Sequence, residues 1–228
     1  DFSVSGAKTA IKYGYNKPKI CKKKKYDNGF ISCKKLRHPI IERINDDIEY
    51  IPHDINIGFN FSKKDKTKSI NGMLIYGLNS VGKSSLMKSL GINLIMAQCG
   101  LFVAAEKFKY STYDSIFARI TGNDNIFKGL SSFALEMTEL RSILNRTGPK
   151  TLVIGDEVCR GTEYTSANSI VAASIINLSK TNSSFIFATH LHDIPKLTQI
   201  KELKNVKSYH LTVNYDKKKD ILIFDRKL

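Results

Sequence analysis

The chain has 228 residues, which is enough for one large α/β domain with a sizeable core. Hydrophobic residues make up 42% of it and no apolar run reaches the length of a bilayer span, so we expect no membrane-spanning segment. The net charge of +15 comes mostly from residues 1–70 and 201–228. These basic ends suit either attraction to nucleic acid through counterion release or solvated lysine-rich loops, and both interpretations stay open.

The start of the chain and its cysteines indicate a piece of a longer, intracellular protein. The chain begins at Asp1 with neither an initiator methionine nor a signal-peptide pattern. Its cysteines have no C-x-x-C or metal-finger spacing, which predicts free thiols at Cys21, Cys33, Cys99 and Cys159. Cys99 follows an apolar helical stretch, so we expect it to pack in the core.

The first third of the chain predicts the end of a helix, a loop and edge strands. The helix covers residues 1–14, and the loop covers residues 15–30 with a turn at Asn28-Gly29. Strands at the edge of a sheet are predicted where short apolar stretches occur, at Phe30-Ile31, Ile40-Ile41, Tyr50-Ile51 and Ile55 to Phe61. A polar, hairpin-like loop at residues 65–68 follows.

The rest of the chain alternates predicted strands with predicted helices. Extended segments are expected at 73–76, 102–105, 108–110, 115–120, 151–155 and 184–189. Helical spacing occurs at 86–97, 131–146 and 166–179, and the last helix is apolar nearly all round. A final hairpin pairs 206–213 with 220–225. This alternation predicts an α/β fold, a mostly parallel sheet flanked by helices with an antiparallel β edge.

Residues 77–84 read Gly-Leu-Asn-Ser-Val-Gly-Lys-Ser, a full match to the phosphate-binding pattern G-x-x-x-x-G-K-[ST]. A strand before it and a helix after it would direct backbone N–H groups and a helix N-terminus at one phosphate cluster. We predict that Lys83 reaches the outer phosphates of a nucleotide and that the Ser84 hydroxyl ligates Mg²⁺. The predicted nucleotide site also includes Gly77, Asn79, Gly82 and Ser85.

An acidic pair follows the apolar strand at 151–155. There Asp156 can hold Mg²⁺, and Glu157 can orient or deprotonate an attacking water. His190 stands at the tip of the next strand, within reach of the γ-phosphate or the water. An alternative is metal binding by His190 and His192, but no third ligand has a suitable spacing. Because these motifs all follow strands of a parallel sheet, they should meet at its carboxyl edge and form a nucleotide hydrolysis site.

Three further residues have competing interpretations. Arg160 lies in a glycine-flanked loop, where it stabilises transition-state charge, clamps a partner subunit or is an ordinary surface arginine. Tyr50 either stacks on a nucleotide base or packs in the core. Ser131, or its neighbour Ser132, stands where the N-cap of the helix at 131–146 is expected.

From Leu36 to about Phe224 the chain resembles the ATPase domain of the MutS family of DNA mismatch-recognition proteins. The resemblance rests on segments in the family's order: Arg37-His38-Pro39-Ile40-Ile41-Glu42, Tyr50-Ile51-Pro52-His53-Asp54-Ile55, the phosphate loop with Asn79, Met96-Ala97-Gln98-Cys99-Gly100, Phe102-Val103-Ala104-Ala105, Asp114-Ser115-Ile116-Phe117-Ala118-Arg119-Ile120, Ser131-Ser132-Phe133 with Glu136-Met137, Asp156-Glu157, Arg160-Gly161-Thr162 and Thr189-His190.

The resemblance implies an ABC-type P-loop ATPase that uses ATP and Mg²⁺ and works as a homodimer or a MutS-like heterodimer with composite sites. One subunit's nucleotide would be served by Lys83, Ser84, Asp156, Glu157 and His190. Ser131 matches the serine that reaches the partner's γ-phosphate, Arg160 lies on the loop that faces the dimer interface, and Tyr50 matches the aromatic residue that stacks on adenine. In the family, ATP binding and hydrolysis gate clamping on mismatched double-stranded DNA.

The resemblance also suggests a domain division. Residues 1–30 resemble the end of the preceding helical core and a linker, and residues 31–228 resemble the ATPase domain. Mismatched DNA would be contacted through the mismatch-reading, connector and clamp domains, which this chain does not contain. No membrane partner is expected.

The sequence departs from the common family pattern in two places. Ser80-Val81 stands where most members carry Met-Gly, which should alter the flexibility of the loop but leaves its anchoring residues. Cys159 replaces the usual glycine before Arg160 and Glu163 follows Thr162, and this Cys-Arg-Gly-Thr-Glu version resembles the branch found in organelles and large DNA viruses. We therefore expect an intracellular protein of mitochondrial or viral location.

Other nucleotide-binding classes fit the motifs less well. A transporter or chromosome-maintenance ATPase would carry a Leu-Ser-Gly-Gly-Gln type signature, where the chain has Gly129-Leu130-Ser131-Ser132-Phe133. A small GTPase would carry an Asn-Lys-x-Asp motif, which the sequence lacks. A nucleotide-gated dimerisation module with little turnover remains an alternative because of the altered phosphate loop, whereas Glu157 favours turnover.

Overall fold

A computed structural model describes residues 1–21, 28–44, 50–58, 69–78, 81–120, 132–159, 161–211, 213–216 and 221–224. Within these ranges, no helix combines the length and the apolar character that a membrane span requires.

The described residues form six α-helices, a short 3-10 helix and eleven β-strands. The α-helices are Phe2–Tyr13 (α1), Ile41–Ile44 (α2), Lys83–Gln98 (α3), Ser132–Asn145 (α4), Tyr164–Lys180 (α5) and Thr198–Lys201 (α6), with the 3-10 helix at Ile194–Lys196. The strands are Lys19–Ile20 (β1), Phe30–Leu36 (β2), His53–Gly58 (β3), Gly72–Tyr76 (β4), Lys107–Tyr110 (β5), Ser115–Arg119 (β6), Thr151–Asp156 (β7), Ser184–Ala188 (β8), Val206–His210 (β9), Val213–Asp216 (β10) and Ile221–Phe224 (β11).

The central sheet has five strands in the order β6-β7-β8-β4-β9, and every neighbouring pair is parallel. All residues of β4, β7 and β8 are buried. Parallel strands covered on both faces read as continuous apolar runs, which is why these three strands were predictable from the sequence.

Helices cover both faces of the central sheet. Met73 and Ile75 of β4 belong to the same apolar cluster as the buried leucines of α3, for example Leu90. Leu74 alternates with them and belongs to a second cluster with Ile175 of α5. Successive side chains of a strand point to opposite faces, so α3 and α5 pack on opposite sides of the sheet.

A second, four-stranded sheet has the order β1-β5-β2-β3. Its β2–β3 and β2–β5 pairs are antiparallel, and its β1–β5 pair is parallel. Alternate residues such as Ile31, Ile55 and Phe108 join the apolar cluster that includes α3. The antiparallel strands expected at the edge thus form a sheet of their own, on the same side of the central sheet as α3.

Several local predictions differ from the structure. Ile40-Ile41 leads into α2 instead of a strand, and Tyr50-Ile51 precedes β3 without belonging to it. In the predicted strand at 102–105, only Val103 forms a bridge, with Asn16. A pair of adjacent apolar residues marks burial but carries no period, so it does not distinguish a strand from a turn or a short helix.

The C-terminal hairpin is shorter than predicted. It pairs β10 with β11, in register from Val213↔Phe224 to Asp216↔Ile221. The residues before it form β9, which lies parallel to β4 at the edge of the central sheet, in a pairing that the hairpin prediction missed. The loop predicted at 65–68 lies outside the described residues.

The burial prediction for Cys99 was wrong. This residue is exposed, directly after the end of α3 at Gln98. Helix α5 is buried along the face that packs on the central sheet, while Ala173 and Asn177 are exposed. The prediction of free thiols is confirmed for all the cysteines.

Candidate nucleotide-binding and hydrolysis site

The phosphate-binding loop connects β4 to the first turn of α3. Gly82 is the N-cap of α3, with φ 107° and ψ 12°, a conformation that L side chains rarely adopt. Among the described residues, no atom lies within 4 Å of the position that a Cβ would take on Gly82. The outer face of this glycine therefore opens on space from which an anion can approach the start of the helix.

Val81 anchors this loop to the protein core. It is 1% exposed and belongs to the apolar cluster of Ile75 and Leu86. A Cβ placed on Gly77 would lie 3.1 Å from Val81 Cγ1, so the two ends of the loop are in close contact. The valine that replaces the common glycine of the family thus fills an apolar space under the loop.

Lys83 reaches back under the loop. Its Nζ donates to the carbonyl oxygens of Gly77 at 2.7 Å and Leu78 at 2.8 Å. An ammonium group has three donors, so one remains for a phosphate oxygen. Burial lowers the pKa of Lys83, and the negative charges of Glu157 and Asp156 act in the opposite direction and favour the charged form.

The carboxyl ends of three parallel strands bring the motifs together. Ala188 of β8 is the register partner of both Ile75 of β4 and Asp156 of β7. The phosphate loop therefore starts on one side of β8 and the acidic pair follows on the other side. Asp156 is 6% exposed, and its charge acts on Lys83. A carboxylate oxygen is a ligand that Mg²⁺ prefers, and an ammonium group pairs with phosphate, so Asp156 and Lys83 fit a bound Mg²⁺ and phosphate.

Glu157 lies on a strained turn and contacts His190. Its φ is 51°, and that of Cys159 is 66°, in the left-handed region that non-glycine residues seldom occupy. The backbone N–H of Glu157 donates to Ala188 O at 3.0 Å. His190 Nε2 lies 2.5 Å from Glu157 Oε1, and both side chains are partly exposed. The turn thus directs the carboxylate sideways, toward the tip of β8.

The ring of Tyr50 lies between two histidine rings and is not fully exposed to solvent. Its ring centroid is 6.4 Å from that of His38 and 6.3 Å from that of His53. Burial raises the pKa of the Tyr50 hydroxyl to about 12. Because the residue as a whole is only half-buried, part of the ring stays accessible, as both of its predicted roles allow.

Both histidines next to Tyr50 are held neutral. His38 Nδ1 accepts from the N–H groups of Ile40 and Ile41, each at 3.2 Å, so this nitrogen carries no proton. Burial and the charge of Lys88 lower the pKa of His38. Burial lowers the pKa of His53 to about 4, with Asp54 opposing the shift. The ring of Tyr50 therefore lies between two uncharged imidazole rings.

Not every predicted site residue can be placed. Ser84 and Ser85 are half-buried in the first turn of α3. Asn79, Ser131 and Arg160 lie outside the described residues. The described part of the chain holds no group of three or more histidine, cysteine, aspartate or glutamate side chains that could bind a metal among themselves.

The contact that Glu136 makes was not predicted from the sequence. This residue lies within a segment of the family resemblance, and in the structure it is buried and accepts a hydrogen bond of 2.8 Å from the N–H of Cys159. Arg119, at the end of β6, lies near the same carboxylate. A glutamate among apolar residues of a predicted helix was the available signal, but its partner is 23 residues away and no local pattern points to it.

Residues 73–228 match the family model of MutS domain V. The chain belongs to the MutS domain V family. This confirms the resemblance that the motifs indicated, together with the fold class of a P-loop ATPase domain.

Relatives of the chain carry mismatch-repair names. The chain is 47% identical over 254 residues to a protein named as a DNA mismatch repair protein mutS homolog from Acanthamoeba polyphaga mimivirus, a match that covers 100% of this chain and 22% of that protein. It is 38% identical over 229 residues to the mitochondrial DNA mismatch repair protein mutS homolog of Sarcophyton glaucum, covering 100% of this chain and 22% of that protein. A giant virus and a mitochondrial protein are the sources that the branch assignment predicted.

A bacterial relative is likewise a longer protein that the chain matches in part. The chain is 36% identical over 218 residues to the DNA mismatch repair protein MutS of Cytophaga hutchinsonii, covering 93% of this chain and 24% of that protein. The chain therefore spans about a quarter or less of the length of these relatives.

Proposed function

We propose that the chain is an ATP-hydrolysing domain of a MutS-like DNA mismatch-repair protein. The observation that carries this proposal is the contact of 2.5 Å between Glu157 and His190. It lies at the edge of the sheet from which the phosphate loop starts, where Lys83 Nζ donates to the carbonyl oxygen of Gly77. A carboxylate placed beside a phosphate-binding loop and aligned by a histidine is the arrangement needed to activate water.

Nucleotide binding is assigned to the loop and the residues next to it. Lys83 supplies a buried positive charge to the outer phosphates, and backbone N–H groups from Gly82 onward supply hydrogen bonds at the start of α3. Ser84 and Asp156 would hold Mg²⁺, which when bound would neutralise phosphate charge. Tyr50 offers its accessible ring surface to the adenine.

Hydrolysis is assigned to Glu157 and His190. The oxygen of a water forms a bond to the γ-phosphorus, the bond from that phosphorus to the leaving oxygen of ADP breaks, and the proton of the water moves to the Glu157 carboxylate. His190 Nε2 donates to the Glu157 carboxylate and fixes its orientation. His190 thus contributes to hydrolysis through the orientation of Glu157.

The proposed function also includes dimerisation of the chain. Ser131 and Arg160 complete the site of a second subunit, either a second copy of the chain or a MutS-like partner. Residues 31–228 form the ATPase domain, and residues 1–30 continue from a preceding helical core. In the whole protein, ATP turnover gates clamping on mismatched double-stranded DNA. The protein is intracellular and of mitochondrial or viral type, in line with the names of the two relatives above.

The experiment is a comparison of Mg²⁺-dependent ATP hydrolysis by the wild-type chain and by Glu157→Gln, with ATP binding measured in parallel. We expect turnover to fall by about 100-fold or more in the variant, because the general base is lost, while ATP binding persists. Equal and near-zero rates with intact binding would contradict hydrolysis and favour a nucleotide-gated dimerisation module.

A further inference from the structure

Glu136 connects α4 with two other segments near the site, the turn at Cys159 and the end of β6. It lies in the second turn of α4 and is 7% exposed. Its Oε1 accepts a hydrogen bond of 2.8 Å from the backbone N–H of Cys159, in the turn after the acidic pair. The same oxygen lies 4.0 Å from Nε of Arg119, the last residue of β6.

The turn that Glu136 contacts needs external support. Glu157 and Cys159 both have positive φ values, a strained conformation for non-glycine residues that persists only where the surroundings hold it. On one side of the turn, the N–H of Glu157 donates to Ala188 O at 3.0 Å. On the other side, the N–H of Cys159 donates to Glu136. The turn is thus held from β8 and from α4.

The charges around Glu136 keep it available as an acceptor. A buried carboxylate is costly unless a positive charge compensates it. Arg119 provides that charge while lying closer to Glu139, with 3.1 Å between Arg119 Nε and Glu139 Oε2. Arg119 thus places one positive charge near both carboxylates, and Glu136 Oε1 accepts the hydrogen bond from the N–H of Cys159. A hydrogen bond to an ionised acceptor is roughly twice as strong as one between neutral groups.

We propose that Glu136 is a positioning residue for ATP hydrolysis, which holds the N–H of Cys159 and so fixes the turn that directs Glu157 to His190. This inference rests on the proposed function. Glu136 acts through the backbone and contacts neither nucleotide nor water in this role. Because it stands on α4, it also makes the position of the catalytic turn depend on the position of that helix.

The test compares Glu136→Ala and Glu136→Gln with the wild-type chain. Alanine removes the acceptor, so we expect kcat to fall by about 10- to 100-fold while ATP affinity changes by less than about twofold. Glutamine keeps an acceptor oxygen and should restore most of the turnover. Glu139→Ala is the matched control, because Glu139 shares Arg119 but is not a partner of Cys159. The control should retain wild-type kcat.

Amide hydrogen exchange provides a second readout. Exchange at Cys159 should accelerate in Glu136→Ala and stay slow in Glu139→Ala, with the rest of the fold protected in both variants. The inference is overturned if Glu136→Ala keeps wild-type turnover, if it loses ATP affinity as much as kcat, or if exchange at Cys159 is unchanged. A wild-type chain without turnover would instead overturn the proposed function, so the two failures are distinguishable.

Discussion

His190 and Glu157 are 33 residues apart in the sequence, yet His190 Nε2 lies 2.5 Å from Glu157 Oε1. The contact exists because β7 and β8 are parallel neighbours, with Asp156 in register with Ala188. Each strand delivers one partner just beyond its carboxyl end. The parallel sheet thereby joins two motifs that look unrelated in the sequence.

Removing this contact should slow hydrolysis without preventing binding. We expect His190→Asn to lower kcat by about 10- to 100-fold, because Glu157 loses the donor that orients it. His192→Asn is the matched control, since His192 lies two residues on and contacts Tyr76 instead. Steady-state kinetics would check this, and equal kcat values for the two variants would remove His190 from the mechanism.

Lys83 should be required for nucleotide binding. Lys83→Ala removes the buried positive charge and both donors to the loop carbonyls. We expect the Kd for ATP to rise by about 100-fold or more. Lys88→Ala, an exposed lysine on the same helix, should bind as the wild type does. Titration calorimetry would measure both, and an unchanged Kd for Lys83→Ala would refute the assignment of the phosphate site.

Val81 should contribute to stability more than a loop residue usually does. Val81→Ala removes two buried methyl groups, so we expect the free energy of unfolding to fall by about 2 kcal/mol. Val4→Ala is the control, because Val4 is 57% exposed. Urea denaturation would compare the two. A loss in Val81→Ala no larger than that in Val4→Ala would show that the valine does not anchor the loop.

Stability should fall in acid because of His53. Its pKa in the folded protein is lowered to about 4 by burial, below the ordinary value of 6.5. Between these values the unfolded chain binds a proton that the folded chain does not. The stabilisation is therefore fully present above about pH 6.5 and is lost as the pH falls toward 4, by about 1.4 kcal/mol per pH unit.

The measurement for His53 is the slope of the unfolding free energy against pH. His53→Gln removes the titrating group and should flatten this slope between pH 6.5 and pH 4, whatever the variant's absolute stability. The wild-type chain, measured in parallel, gives the reference slope. A wild-type slope in His53→Gln would mean that another group causes the acid sensitivity.

The elements that depend on local signals were predictable from the sequence. The strand β4, the phosphate loop and α3 follow from one motif with an apolar run before it and leucines at helical spacing after it. The strand β7 and its acidic pair were equally visible, because a strand buried on both faces reads as an unbroken apolar run.

The features that depend on distant partners were not predictable. The strand β9 pairs with β4 far away in the chain, and only Val206 and Tyr209 of its five residues look apolar, so its local pattern favours the hairpin instead. The hydrogen bond from the N–H of Cys159 to Glu136 also joins residues that lie far apart in the sequence. A single sequence contains no pattern that relates a buried glutamate to one backbone N–H on another segment.

The proposed ATP-hydrolysis site is completed by a second subunit, so activity per chain should depend on protein concentration. We would therefore measure ATP hydrolysis per chain, with Mg²⁺ and without DNA, over a wide range of protein concentration. Measurable activity should rise with concentration until the chain is fully dimeric. A constant specific activity in a chain shown to be monomeric, or no activity at any concentration, would contradict it.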